Sequence, residues 1–319
     1  MISERGMPGG RAPLIRGRKG KTASAPANES KIARGPVTLL TDFGLEDAYA
    51  GVMKGVILSI NPRANIIDMT HGVRPGDIPG AQFILRNSVK YFPKGSVHVV
   101  VVDPGVGSGR RAIIVRAGGV HFTGPDNGVL TGFFPGAEKI VSITEERFTL
   151  ESRRRSSSRR QLSSKRRASS ASFGAAASFG LQGATFDGRD VFAPVAAWLS
   201  RGVRAEDFGP GIKDPVELPL PEPVCKEGGI SGRVLHVDRF GNCITNIDPD
   251  HLLKLGRDRN RIRVRVKGKT FGLVDFYLSH RDRDPHALVN SDGLLEIFMP
   301  GGDASRALGL KAGAPVTVF

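Results

Sequence analysis

The run "VVVVDPGVGSGRR", Val99 to Arg111, places a carboxylate, three glycines and two guanidiniums directly after four consecutive valines. These are the residue types of a ligand site. A carboxylate accepts hydrogen bonds, a guanidinium donates them, and glycine lets backbone approach a bound molecule closely. An unbroken β-branched run reads as a strand buried on both faces, and the Pro/Gly cluster stops it abruptly, so Asp103 falls at the strand's carboxyl end. In open α/β sheets that edge is where ligands bind. Asp42 repeats the pattern at the end of "VTLLTDFG". Two plainer readings compete: an Asp-Pro turn followed by a solvated arginine pair, and an Asp42 that caps the next helix.

The elements that must position these groups alternate. "VTLLTDFG", "NIIDMTH" and "SVHVVVVD" read as strands, separated by helical spacing in "DAYAGVMKGVILSI" and "DIPGAQFILRNSVKYF". Such a βαβ series predicts a mostly parallel sheet sandwiched by helices over residues 36–213. A Pro-rich linker, "DPVELPLPEP", opens residues 214–227. Beyond it the period falls to two in "GGISGRVLHVDRFGNCITNI", "RIRVRVKGKTFGLV" and "GLLEIFMP", and strand-forming residues close the chain at "APVTVF". The expectation for 228–319 is a smaller antiparallel, barrel-like β domain. "PDNG" (Pro125 to Gly128) has tight-hairpin chemistry and is assigned to structure. His71 and the Arg74 to Asp77 loop lie at another strand end, His71 as a structural residue.

The net charge of +15 over 319 residues is concentrated. Residues 1–35 hold eight Lys/Arg against two Glu, and residues 151–170 hold eight against Glu151. Both stretches are poor in apolar residues, so a disordered basic tail (1–35) and a disordered Ser/Arg-rich insertion (about 151–182) are expected. Solvated disorder without a partner is the first reading; the alternative is a weak, nonspecific nucleic-acid contact through phosphate attraction alone, without aromatic interleaving or a recognition motif. No apolar run approaches the roughly 20 residues of a membrane span. Cys225 and Cys243 show no metal-ligand spacing, so no metal site is expected and a reducing, cytoplasmic compartment is the default. The basic tail lacks a secretory apolar region and leaves organelle targeting open.

Seven motifs occur in order: "LLTDFGLEDAYAGVMKG", "IDMTHGVRPGDIPGA", "VVDPGVGSGRRAIIV", "GPDNGVLT", "TFDGRDVFAPVAAWLSRG", "VDRFGNCITNI" and "LVNSDGLLEI". In this series the chain resembles the S-adenosyl-L-methionine (SAM) hydroxide adenosyltransferases, the adenosine-forming SAM hydrolases related to fluorinase and chlorinase. The resemblance implies attack of water at the ribose C5′ of SAM, with methionine leaving and adenosine remaining. SAM is the substrate, and no cofactor is implied. A sulfonium leaves without protonation, so the protein has to orient substrate and a polarised water. The family's Asp-Arg-His trio falls on Asp103, Arg110 and Asp187. At the third position this chain departs, reading Thr-Phe-Asp-Gly-Arg-Asp where the family has Thr-Phe-His-Gly-Arg-Asp. Two carboxylates beside one arginine favour holding a proton between them, which can serve as a base; the alternative is a spoiled site that only binds SAM or adenosine.

The same resemblance assigns substrate contacts to Asp42 (ribose hydroxyls), Gly188, Asp238 (substrate amino group), Asn242, Phe271, Asn290 and Ser291. Asp292 and Ile244 stand where fluorinase has Arg and Trp. By themselves "FGN" and "NSDG" also read as turns. The resemblance further implies a homotrimer whose active sites lie between the α/β domain of one subunit and the β domain of its neighbour. A halogenase-like reaction is the alternative enzyme reading. Asp103 and Asp187 oppose it, because ionised carboxylates repel a desolvated halide. An RNA-associated protein on a reused fold is a third class.

Overall fold

The computed structural model describes residues 35–150, 185–279 and 282–319. The expected basic tail, apart from residue 35, and the insertion at 151–182 lie outside these residues.

Alternation of side chains builds the first layer system. Leu39, Val99 and Val101 face one side of a sheet, while Leu40, Val100 and Val102 face the other, and all six are buried. Strands β1 (Val37–Thr41), β2 (Ile66–Thr70) and β3 (Val97–Val101) are joined by helices α1 (Tyr49–Ile60) and α2 (Ile78–Val89). The sheet is completed by β4 (Ala112–Ala117), β5 (Val120–Pro125) and β6 (Ala137–Ser142), in the order β2-β1-β3-β5-β4-β6. The run from β2 through β5 is parallel, and β4 is antiparallel to both of its neighbours. Met53, Ile57 and Ile60 of α1 join helix α3 (Ala193–Ser200) on one face, and Ala81 and Leu85 of α2 cover the other. The mostly parallel, helix-covered sheet expected from the sequence is therefore present. Its hairpin sits elsewhere than expected: Gly118 and Gly119, both at positive φ, make the tight β4–β5 turn, whereas Pro125 to Gly128 turns into a 3₁₀ helix (Thr131–Phe133).

The chain order decides where the carboxylates go. From β1 the chain moves through α1 to β2 on one side, then crosses back through α2 to β3 on the other. The carboxyl ends of β1 and β3 thus flank the point where connections diverge, the crevice at which open α/β sheets bind ligands. Asp42 and Asp103 follow those two strands.

The second sheet is antiparallel: β7 (Val224–Lys226), β8 (Gly229–Val237), β9 (Cys243–Thr245), β10 (Arg263–Val266), β11 (Lys269–Gly272), β12 (His286–Val289), β13 (Leu295–Phe298) and β14 (Pro315–Val318). Its order is β11-β10-β14-β8-β9-β13-β12, with β7 pairing β8. A bridge between Leu273 and Ala287 draws the two end strands together, so the sheet is nearly closed as a barrel around Val234, Val264, Ile297 and Val316. Two short helices, α4 (Pro249–Leu253) and α5 (Ala304–Leu308), are absent from the period-two reading because each spans barely more than one turn. Strand β7 begins inside the expected linker, and the remaining linker is tied down: Val216 N–H donates to Asp126 and Leu218 N–H to Thr131.

One buried histidine makes the first sheet acid-sensitive. His98 on β3 is fully buried, bonded to Thr38 at 2.8 Å and stacked on Phe122, and burial pushes its pKa down to about 4. The folded state therefore favours the neutral ring, and this contribution is present above the ordinary pKa near 6.5 and lost as pH falls toward 4. Urea titrations from pH 7 to 4 are expected to show a loss of up to about 3 kcal/mol from this group, and His98→Gln should decline less steeply.

Candidate active site

The two strand ends deliver their carboxylates differently. Asp42 accepts a hydrogen bond from the Gly76 amide at 2.8 Å, in the loop after β2. It does not cap α1: the residue before that helix is Ala48, and no side chain caps it. His71 holds the base of this region, with one ring nitrogen 2.8 Å from Thr41 Oγ1 and the other 3.1 Å from Asp68. Asp77 caps α2 through the Gly80 amide, so the Arg74 to Asp77 loop is fixed at the helix end.

Asp103 meets Arg110 across the glycine loop. Arg110 Nε donates to Asp103 Oδ1 at 2.7 Å, and Nη2 donates to Asp103 Oδ2. The same Nη2 reaches Asp187 Oδ2 at 2.7 Å. The side chains of Asp103, Arg110 and Asp187 are 4%, 10% and 24% exposed, so the guanidinium is largely withdrawn from water and the outer carboxylate is the accessible one. Arg110 also lies 5.7 Å from the centre of the Phe192 ring. The solvated arginine pair does not occur: Arg111 turns the other way, to Asp126 at 2.8 Å and Asp214 at 2.9 Å, and holds the Asp214 carboxyl below the usual carboxylate range.

Asp187 arrives on a feature no sequence period reveals. Residues Gly188–Phe192 form a π-helical turn that runs directly into α3. Such wide turns re-aim side chains and recur at functional sites. A side chain on Gly188 would collide with the Phe186 ring and press on Met53, so glycine lets the turn pack against α1. Phe186 also closes a ring cluster with Phe43 and Tyr49, at centroid distances of 5.6 and 5.2 Å. A cavity of about 420 Å³ opens beside the trio, lined by Arg110, Asp187, Asp190, Glu146, Ser142 and Thr144 among others. One cation among Asp103 and Asp187 leaves the trio one negative charge in excess, suited to a cationic ligand or a polarised water.

The barrel residues are not in that cavity. Asp238 accepts bonds from the amides of Phe240 and Asn242 and from the Asn242 side chain at 3.0 Å, so both residues build the turn between β8 and β9. Asn290 is a turn residue too: Oδ1 accepts from the amides of Asp292 and Leu294, while Nδ2 donates to Glu296, a buried carboxyl whose pKa burial pushes up. Exposed Ser291 lies on this turn, and Asp292 pairs with Lys90 just past the end of α2. That end is about 18 Å along the helix from the Gly76 loop that binds Asp42. Phe271 lines a separate cavity of about 790 Å³ at the barrel rim, with Arg263, Lys269 and His286. Within one chain, Asp103, Arg110 and Asp187 come together, Asp42 flanks them at the same sheet edge, and Phe271, Asn290 and Ser291 stand apart. The sequence reading missed the aromatic cluster, Glu146, Asp190 and the Arg111 pairings; the aromatics flanking "DG" in "TFDGRDVF" were the available signal.

Comparison with known proteins adds an independent line. Residues 37–209 match the SAM hydroxide adenosyltransferase N-terminal domain, and residues 232–317 match the C-terminal domain of that family. A protein named (R)-S-adenosyl-L-methionine hydrolase from Thermus thermophilus is 37% identical, with 89% of this chain and 99% of that protein covered. One of the same name from Methanocaldococcus jannaschii is 33% identical, with 85% and 91% covered. A fluorinase from Actinoplanes is 26% identical, with 92% and 99% covered. The crystal structure of an uncharacterized conserved protein from Thermotoga maritima superposes with a TM-score of 0.74 at 34% identity, covering 88% of this chain and 99% of that one.

The paired carboxylates make a stability prediction that is independent of any ligand. Arg110→Met strands Asp103 without its cation and is expected to cost about 3 kcal/mol in urea unfolding at pH 7. A change below about 0.5 kcal/mol, the size of ordinary surface substitutions, would mean that the pairing contributes nothing.

Proposed function

The chain belongs to the SAM hydroxide adenosyltransferase family, and from that premise we propose that it hydrolyses SAM to adenosine and L-methionine. The observation that carries this reading is the single Arg110 guanidinium shared by Asp103 and Asp187 beside a cavity lined by Ser142, Thr144, Glu146 and Asp190. Water attacks C5′, the C5′–S bond breaks with its electron pair going to sulfur, and the neutral thioether of methionine leaves. The water proton passes to a carboxylate. Because the sulfonium already carries the positive charge that makes it leave, neither a general acid nor a cofactor is required.

In this reading Arg110 fixes Asp103, and Asp187 presents its accessible carboxylate to the water in place of the family's imidazole. Asp42 accepts from the ribose hydroxyls, and Gly188 serves the substrate site by letting the turn that carries Asp187 pack against α1. The excess negative charge attracts the cationic substrate and disfavours a halide nucleophile, so hydrolysis is preferred to halogenation. Asp238, Asn242, Phe271, Asn290 and Ser291 serve the site of a neighbouring subunit in a homotrimer. The remoteness of the Asn290 turn from the trio within one chain supports this assignment. Two free cysteines fit a reducing, cytoplasmic setting, and no helix among the described residues is long and apolar enough to cross a membrane.

Incubation with SAM, the (R) epimer at sulfur included, followed by chromatography should show adenosine and no 5′-halo-5′-deoxyadenosine when halide is added. Asp103→Asn is expected to lower the rate about 10²-fold or more, because it removes the carboxylate that seats Arg110 and with it the geometry of the water-orienting group. Asp187→His should preserve or raise it and add the titration of an imidazole near pH 6.5 to the pH profile. An inactive wild type rescued by Asp187→His would instead mark a binding protein that has lost its catalyst.

Subunit sharing has its own assay. Asp103→Asn and Asn242→Ala chains, each impaired alone, should regain activity when refolded together, with about one quarter of the sites intact for random mixing in a cyclic trimer. No recovery in verified mixed oligomers would place both halves of the site in one chain.

A further inference from the structure

The turn Pro125 to Gly128 lines no part of the cavity at Arg110 and Asp187, yet its two polar side chains hold both ends of the loop that carries Asp103 and Arg110. Asn127 Nδ2 donates to the carbonyl of Val102, the residue immediately before Asp103, at 2.9 Å. Pairing between β3 and β5 ends at Val99 and Thr123, so this side-chain amide takes over where the strand ladder stops. Asn127 Oδ1 meanwhile accepts from the Val129 amide, which fixes the rotamer that reaches Val102.

Asp126 grips the other end. Its amide donates to the Arg111 carbonyl at 2.9 Å, extending the β4–β5 ladder by one step, and its carboxylate takes Arg111 Nε at 2.8 Å. Arg111 directly follows Arg110. The Asp126 side chain is 1% exposed, so the pair bears a desolvation cost that apolar residues would avoid; what it supplies is a fixed geometry. The second carboxylate oxygen accepts from the Val216 amide, and a side chain on Gly128, at φ 93°, would run into Leu218. The turn is thus also seated against the segment leading to the barrel.

We propose that Asp126 and Asn127 are positioning residues that set the separation of Asp103 and Arg110 by clamping the chain on either side of the glycine loop. The catalytic part of this proposal rests on the hydrolase reading; the clamping part does not. Neither residue meets substrate, so loss of either one alters turnover and loop order while leaving ligand affinity nearly unchanged.

The test compares Asp126→Asn, which keeps the shape of the buried group, with Asn127→Ser and Asn127→Ala. Each is expected to lower kcat for adenosine formation about tenfold or more, with KM for SAM within about threefold. In an Arg110→Lys background the same substitutions should cost less than about twofold, because residues acting as a unit are not additive. A role in stability alone would leave kcat of the folded protein unchanged or lower it equally in both backgrounds, and either result overturns the proposal. Amide hydrogen exchange over residues 104–110 gives a readout that needs no substrate. It should accelerate at least tenfold in the variants, and unchanged exchange also overturns the proposal. If wild-type protein makes no adenosine while exchange still accelerates, the hydrolase reading fails and the clamp stands.

Discussion

A guanidinium held between two acids out of full contact with water governs this structure. Arg110 can occupy its place only because Asp103 and Asp187 offset the cost of removing its charge from solvent, and those acids can approach each other only because the arginine lies between them. Each of the three comes from a different kind of backbone: a strand end, the far side of a glycine loop, and a π-helical turn. Holding them in register requires the parallel sheet behind Asp103, the clamped ends of the loop, and the packing of Gly188 against Phe186 and Met53.

The topology explains why the acids gather at one edge. Connections leave β1 and enter β3 on opposite sides, so the crevice between their carboxyl ends stays uncovered by helix. Asp42 and Asp103 therefore follow adjacent strands at the same edge of the sheet. The barrel contributes nothing to the trio's cavity among the described residues of the same chain. Its Asp238 and Asn290 turns are built with their own side-chain hydrogen bonds, and Asp238 lines a separate cavity with Arg74 and Asp77.

Asp187, which stands where the resemblance implies a histidine, gives the site its second acid. An imidazole beside Arg110 could be neutral, whereas a second carboxylate adds a negative charge and binds the arginine directly at 2.7 Å. The arginine bridges the two acids, and the outer one lines the cavity.

Much of this was legible in the residue order because it depends on local periodicity. The valine run before Asp103 dictated a buried strand and a carboxylate at its end, "VTLLTDFG" did the same for Asp42, and period-two spacing after residue 228 announced the antiparallel sheet. Seven motifs in register identified the family. The partners across the chain were not legible: that Arg110 turns inward and Arg111 outward, that "PDNG" clamps the loop instead of forming the hairpin, and that the linker is pinned by Asp126 and Thr131. These follow from contacts between segments remote in sequence. Spacing along a strand or helix sets which face a side chain takes, but only the assembled sheet decides which charge or carbonyl waits on that face.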